Sequence, residues 1–298
     1  MAGNGNTAGL RPRTGAGRRR TSAGLPALVL ILGLGLSTGA VAQERTSELG
    51  SETALRVCAD PANKPMSSKD GEGFENKIAD LVARELGRPV QYTWFPMATG
   101  FLRKTLLDNR CDVIMGYIQL GERVLNTNHY YTSSYLLVTP KDSPLAGVTS
   151  LSDPALKGKK LGVIAGSAPA SHLVRQGMMR DAKGYELFVD RRYQDPSGDM
   201  LADLEAGTID GALMWGPVAG PLVKAGHPNL TVQPLLKEPG QPKMFYRITM
   251  AVRPGEKAWA RKLNSIIRRN QGEIDAILRD AGVPLLDDMG TGPKPADG

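Results

Sequence analysis

The sequence predicts an α/β protein of two lobes joined by two hinge crossings, and three observations carry that prediction. The stretch from Leu55 to Gly87 reads as strand, loop and helix, one half of a parallel βαβ unit. The same order begins again at Leu161. A further strand at Arg247 to Val252 follows the second set, placed to return the chain to the first lobe.

The chain has 298 residues, and residues 1–42 read as a cleaved export signal. Arg11, Arg13 and Arg18 to Arg20 form a basic region, Leu25 to Leu36 an apolar core, and Ala40-Val41-Ala42 a small-residue cleavage site. The apolar run falls short of the roughly 18 to 20 residues that a membrane span needs. A periplasmic protein that does not span the membrane is expected; the alternative is an uncleaved anchor. The whole sequence carries a formal charge of +7, with 37 bases against 30 acids. Setting aside the five leader arginines leaves the rest nearly balanced, without the basic footprint that nucleic-acid binding requires.

In the first unit, Leu55 to Ala59 is a buried strand closed by Asp60-Pro61. Phe74, Ile78, Leu81, Val82 and Leu86 then form a helical stripe that Gly87 stops. Val90 to Phe95 reads as the second strand, Phe101, Leu102, Thr105 and Leu106 as a short helix, and Cys111 to Gly116 as the third strand, whose final glycine permits a close approach. Tyr135 to Thr139 is a strand and Pro140 to Asp153 a linker. The second unit comprises a strand at Leu161 to Ala165, a tight loop at Gly166 to Pro169 before a helix, a strand at Tyr185 to Val189, a helix through Met200 and Leu204, and a strand at Ile209 to Trp215. Trp259, Leu263, Ile266 and Ile267, then Ile274, Ile277 and Leu278, stripe two closing helices. Lobe 1 is assigned to residues 54–138 and 250–286, lobe 2 to 142–246, and a flexible tail to 287–298. The crossings are expected near 138–142 and 246–251.

Cys58 and Cys111 are a candidate disulfide, with two buried free thiols as the alternative, since one lies late in its strand and the other early. Neither belongs to a zinc or haem spacing, and His129, His172 and His227 are dispersed, so no metal and no cofactor is expected. Ser167 or Ser171 with His172 lacks a nucleophile-elbow context, and no catalytic residue is assigned.

The order of elements resembles the type II periplasmic solute-binding proteins, in particular the family 3 binders of polar amino acids. Leu55 to Pro61, Gly73 to Ala79, Tyr92 to Pro96, Arg110 to Gly116 and Trp215-Gly216-Pro217 resemble the MxaJ/XoxJ-type proteins, encoded beside quinoprotein methanol dehydrogenases. In the amino-acid binders, an arginine seven residues after the glycine of the third strand pairs with the ligand carboxylate, and here that position is Arg123. Their threonine two residues after that glycine is Ile118, and their hydroxyl residue in the second lobe matches Ser167, followed by Pro169. Their ammonium-holding acid aligns with Trp215, and an indole cannot neutralise a desolvated ammonium as a carboxylate does. The inferred cleft is lined by Asp60, Trp94, Arg123, Ser167 and Trp215; packing of the two tryptophans beneath the crevice is the alternative.

The resemblance implies a monomeric, non-catalytic periplasmic accessory whose partner is a PQQ-dependent methanol dehydrogenase, of the calcium or the lanthanide type. A receptor delivering a small organic acid to a transporter is the second reading. An enzyme resembling the cyclohexadienyl dehydratases, with Asp60 as its acid, is the third.

Overall fold

The computed structural model describes residues 50–119, 123–240 and 242–296. The expected export signal, residues 1–42, lies outside them.

Strand β1 (Leu55–Ala59) leads into a loop carrying a small hairpin, β2 (Ala62–Asn63) and β3 (Ser67–Ser68). Helix α1 (Phe74–Leu86) buries Phe74, Ile78, Leu81 and Val82 and ends at Gly87, whose φ of 64° turns the chain out of the helix. Strand β4 (Val90–Trp94) runs parallel to β1 from Leu55 opposite Val90 to Ala59 opposite Trp94. The next stripe makes only a four-residue helix, α2 (Phe101–Lys104), and a 3-10 turn at Leu106–Asp108, because Thr105 leaves helical geometry with φ of −127°.

Strand β5 (Ile114–Ile118) starts later than the sequence suggests and continues past Gly116. The residues before it are otherwise engaged. Cys58 and Cys111 form a disulfide with Cα atoms 5.5 Å apart. Asp112 pairs with Arg56 at 2.6 Å and with Arg253 at 2.7 Å. Burial pushes the Asp112 carboxyl up, but the two guanidinium hydrogen bonds more than offset it, leaving the group below the usual carboxylate range.

Strand β6 (Leu125–Pro140) is the spine of the molecule. Beyond it come β7 (Leu161–Ile164), α3 (Ala168–Arg175), β8 (Lys183–Tyr185), α4 (Pro196–Glu205), β9 (Gly211–Trp215), α5 (Gly216–Gly226), β10 (Leu230–Pro234), β11 (Phe245–Val252), α6 (Lys257–Arg269) and α7 (Gln271–Ala281). The large sheet runs β5-β11-β6-β9-β7-β8, with β10 also paired to β6. From Leu125 to Ser134, β6 pairs with β11; from Tyr135 to Val138 it pairs with β9. The change of partner between Ser134 and Tyr135 is the crossing between lobes, earlier than the expected 138–142. The return crossing is at the start of β11, where the Tyr135 N–H donates to the Met244 carbonyl at 2.7 Å.

The two lobes have separate cores. In lobe 1, α1, α6 and α7 pack on β1, β5, β6 and β11 through residues such as Ile78, Met250, Trp259 and Leu278. In lobe 2, alternate residues of β6 face opposite layers: Leu137 packs with Leu161, Val163 and Leu173, whereas Leu136 and Val138 pack with Met200, Leu204 and Met214. This is the two-lobed α/β architecture with two crossings that the sequence predicts.

Two sequence expectations are corrected. The apolar run after Tyr185 is not strand: β8 ends at Tyr185, and Leu187 and Phe188 are exposed in a loop. The expected flexible tail is tied down through Ala296: Leu286 bridges Thr132 and Pro293, and the Lys294 ammonium lies 2.5 Å from the buried Asp275 carboxylate. A buried carboxylate is costly without a counter-charge, and Lys294 supplies it.

Candidate functional site

A cavity of about 940 Å³ opens between the lobes. One lip is the β2–β3 hairpin and its neighbours from Pro61 to Asp70. The opposite wall is the loop from Glu186 to Pro196, with Ser167 and Val218 behind it. Tyr135, Trp215 and Tyr246 lie between them on the strands that cross or border the hinge.

Of the five residues named from sequence, the structure brings Ser167 and Trp215 to the cavity wall; Asp60, Trp94 and Arg123 are not among its lining residues. Asp60 is a loop organiser. Buried to 3% exposure, its carboxylate accepts the Ala62 N–H at 2.9 Å and the Met97 N–H at 2.7 Å. Trp94 and Tyr92, two apart on one strand, share a face and stack with ring centroids 4.3 Å apart against the lobe 1 core. Arg123 is exposed outside the cavity. Ile118 does line it, presenting an apolar side chain.

Ser167 caps α3, its hydroxyl accepting the Ala170 N–H at 3.4 Å. His172 faces elsewhere. Its Nδ1 lies 2.8 Å from the Arg175 guanidinium and its Nε2 2.7 Å from the Pro242 carbonyl, so the ring engages neither serine. Trp215 ends β9 and α5 starts at once behind it. A Cβ at Gly216 would stand 2.6 Å from the Ser134 carbonyl, so only glycine lets that turn pack against the crossing strand.

Sequence reasoning missed Tyr135 and Tyr246, which complete a cluster with Trp215. Ring centroids are 5.2 Å apart for Tyr135–Trp215, 5.8 Å for Trp215–Tyr246 and 6.4 Å for Tyr135–Tyr246, with interplanar angles of 58°, 69° and 76°. Burial pushes the Tyr135 hydroxyl up to about 12 and raises that of Tyr246, so both remain neutral phenols. Tyr246 lies in a predicted crossing and Tyr135 just ahead of the other, but an aromatic residue in a strand carries no mark that separates cleft from core.

Glu75 in the first turn of α1 is buried, and burial pushes its carboxyl up to about 7. Gly116 is the residue against it: a Cβ there would collide with the carboxylate oxygen. The close approach that the sequence assigns to Gly116 is thus made by Glu75. Among the described residues no three His, Cys, Asp or Glu side chains converge as metal ligands, and no helix is long and apolar enough to cross a membrane.

The profile of bacterial extracellular solute-binding proteins, family 3, matches residues 55–280. The crystal structure of the periplasmic binding protein XoxJ from Methylobacterium extorquens AM1 is 38% identical, covers 79% of this chain and all of its own, and superposes with a TM-score of 0.66. That of MxaJ from Methlophaga aminisulfidivorans MPT is 27% identical, covers 78% and 100% of the two chains, and gives 0.67. Protein MoxJ of Methylorubrum extorquens is 29% identical, across 91% of this chain and 97% of its own. The fold is that of the type II periplasmic binding proteins, and the chain belongs to family 3 of the bacterial extracellular solute-binding proteins.

Proposed function

We propose that this chain is a non-catalytic periplasmic accessory of methanol oxidation that engages a PQQ-dependent methanol dehydrogenase at the mouth of its cleft and aids its assembly or activation. The resemblance to XoxJ and MxaJ supplies the pathway. The observation that carries a protein partner is the rim loop after β8. Leu187, Phe188 and Tyr193 are 43%, 72% and 81% exposed there, a concentration of large apolar side chains beside an open cavity. Exposed apolar clusters rimmed by charge mark protein docking surfaces.

The testing experiment is capture of the dehydrogenase from periplasmic extract of methanol-grown cells by the immobilised chain. Recovery that falls with Phe188→Ser supports the reading. Recovery of no dehydrogenase, with a melting temperature raised by a small organic acid, replaces it with the transport-receptor reading. That second reading keeps one observation in its favour, Ser167 at the cavity wall. The arginine expected to hold its carboxylate, Arg123, is not among the lining residues.

A further inference from the structure

We infer that the corner formed by Tyr135, Trp215 and Tyr246 binds the head group of a small alkylated ammonium cation. This goes beyond the accessory reading and does not rest on it.

The three rings are inclined to one another by 58° to 76°, so no two faces lie parallel to sandwich a flat ligand. Three mutually tilted faces instead form a corner, which matches a compact, roughly spherical group. All three residues line the cavity.

Charge selects among spherical groups. Aromatic faces attract cations through the ring quadrupole, and the tyrosines stay uncharged. A primary ammonium brings three N–H donors that need acceptors; Trp215 provides none and the two tyrosines at most a phenolic oxygen each. A fully alkylated ammonium has no such donors, so this wall meets its needs without a carboxylate in contact.

The remaining charges of the lining fit a diffuse counter-charge on the same lobe. Lys64 is held by Asp70 and Glu72 at 2.7 Å each, Arg191 faces Asp60 at 3.8 Å, and Asp195 caps α4 through the Gly198 N–H at 2.9 Å. Among the described residues Glu186 and Lys69 have no ion-pair partner. Glu186 follows β8 and Trp215 ends β9, at the same end of the parallel strands that flank β7, which by sheet spacing is about 10 Å. Lys69 is on the opposite lip.

The test is calorimetric titration of the purified chain with choline, tetramethylammonium and 3,3-dimethylbutanol, the neutral isostere of choline. Choline is expected to bind at least about tenfold more tightly than the isostere, as desolvated cation–π contact with several rings implies. Tyr246→Leu should weaken choline at least about tenfold, and Glu186→Gln by a few-fold that high salt removes. Equal affinity for choline and its isostere, or no choline binding by the wild-type chain, overturns the inference. Quenching of tryptophan fluorescence by choline in the unaltered chain gives a readout that needs no variant to fold. Dehydrogenase capture is not used, so failure here leaves the accessory reading standing and the converse also holds.

Discussion

The Asp60 carboxylate stands 3.8 Å from the Arg191 guanidinium, a contact from the first loop of lobe 1 to the rim loop of lobe 2. Its two oxygens are also committed to the N–H groups of Ala62 and Met97, so the link across the cleft is a by-product of a carboxylate whose main work is local.

The two partners should therefore behave unequally. Asp60→Ala strands two backbone donors and is expected to cost about 2–4 kcal/mol. Arg191→Gln removes a long contact from a side chain 36% exposed and should cost less than about 1 kcal/mol. Urea unfolding of both variants reads the difference; equal losses would contradict the assignment.

Glu75 predicts a pH dependence. Its carboxyl, 4.5 in an ordinary setting, is pushed up to about 7 by burial. Between those values the folded chain holds a proton that the unfolded chain has released. The native state binds more protons, so stability contributed by the neutral carboxyl is complete below pH 4.5 and is lost as pH rises to 7, by about 3 kcal/mol. Glu75→Gln should flatten that part of the profile and be the more stable protein at pH 8. The measurement is chemical denaturation of both proteins from pH 4.5 to 8, compared as a difference so that other groups cancel.

Cys58 and Cys111 close a segment of 53 residues. Replacing both by serine is expected to remove about 4 kcal/mol, chiefly by freeing the unfolded chain. Reduction of the native protein should lower its melting temperature in the same direction, while the double variant shows no response to reductant.

Lys294→Met leaves Asp275 buried without its ammonium. A loss of about 3–5 kcal/mol is expected from breaking a buried pair. If equilibrium unfolding of Lys294→Met matched wild type, the segment after Leu286 would be a passive tail after all.

Phe188→Ser removes an exposed side chain that belongs to neither lobe's core. Stability should stay within about 0.5 kcal/mol of wild type, while dehydrogenase capture weakens about thirtyfold, as for an interface hot spot. An unchanged capture would move the contact elsewhere.

Elements with one strong period were legible in the sequence: α1 from its stripe and Gly87, β1, β7, β9 and β11 from short apolar runs, α6 and α7 from paired stripes. Strand β6 was legible only at its apolar end. Its first ten residues, Leu125 to Ser134, are largely polar, and they form a strand because β11 pairs with most of them across two register shifts, the Asn128 N–H going instead to the Asn264 side chain, with Thr127, Thr132, Ser133 and Ser134 buried. The run after Tyr185 misled in the opposite direction, since Leu187 and Phe188 have apolar chemistry and no partner strand. At the site, Trp215 stood out because its place in the resembling family belongs to an acid. Asp60 and Trp94 sit at strand ends facing the cleft, yet local hydrogen bonds claim one and a neighbouring ring the other, which adjacency in sequence does not reveal.

The core of lobe 1 joins residues from both ends of the chain: Ile78 of α1 packs in the same cluster as Ile274 and Leu278 of α7, and Arg84 meets Glu273 at 2.7 Å. All of lobe 2 is threaded between them. During synthesis the second lobe thus has every strand it needs before the first has its last two helices, and the earliest-made helix waits longest for its partners. An exported chain of this design must be kept from committing its exposed first segment to other contacts until its final turn has emerged.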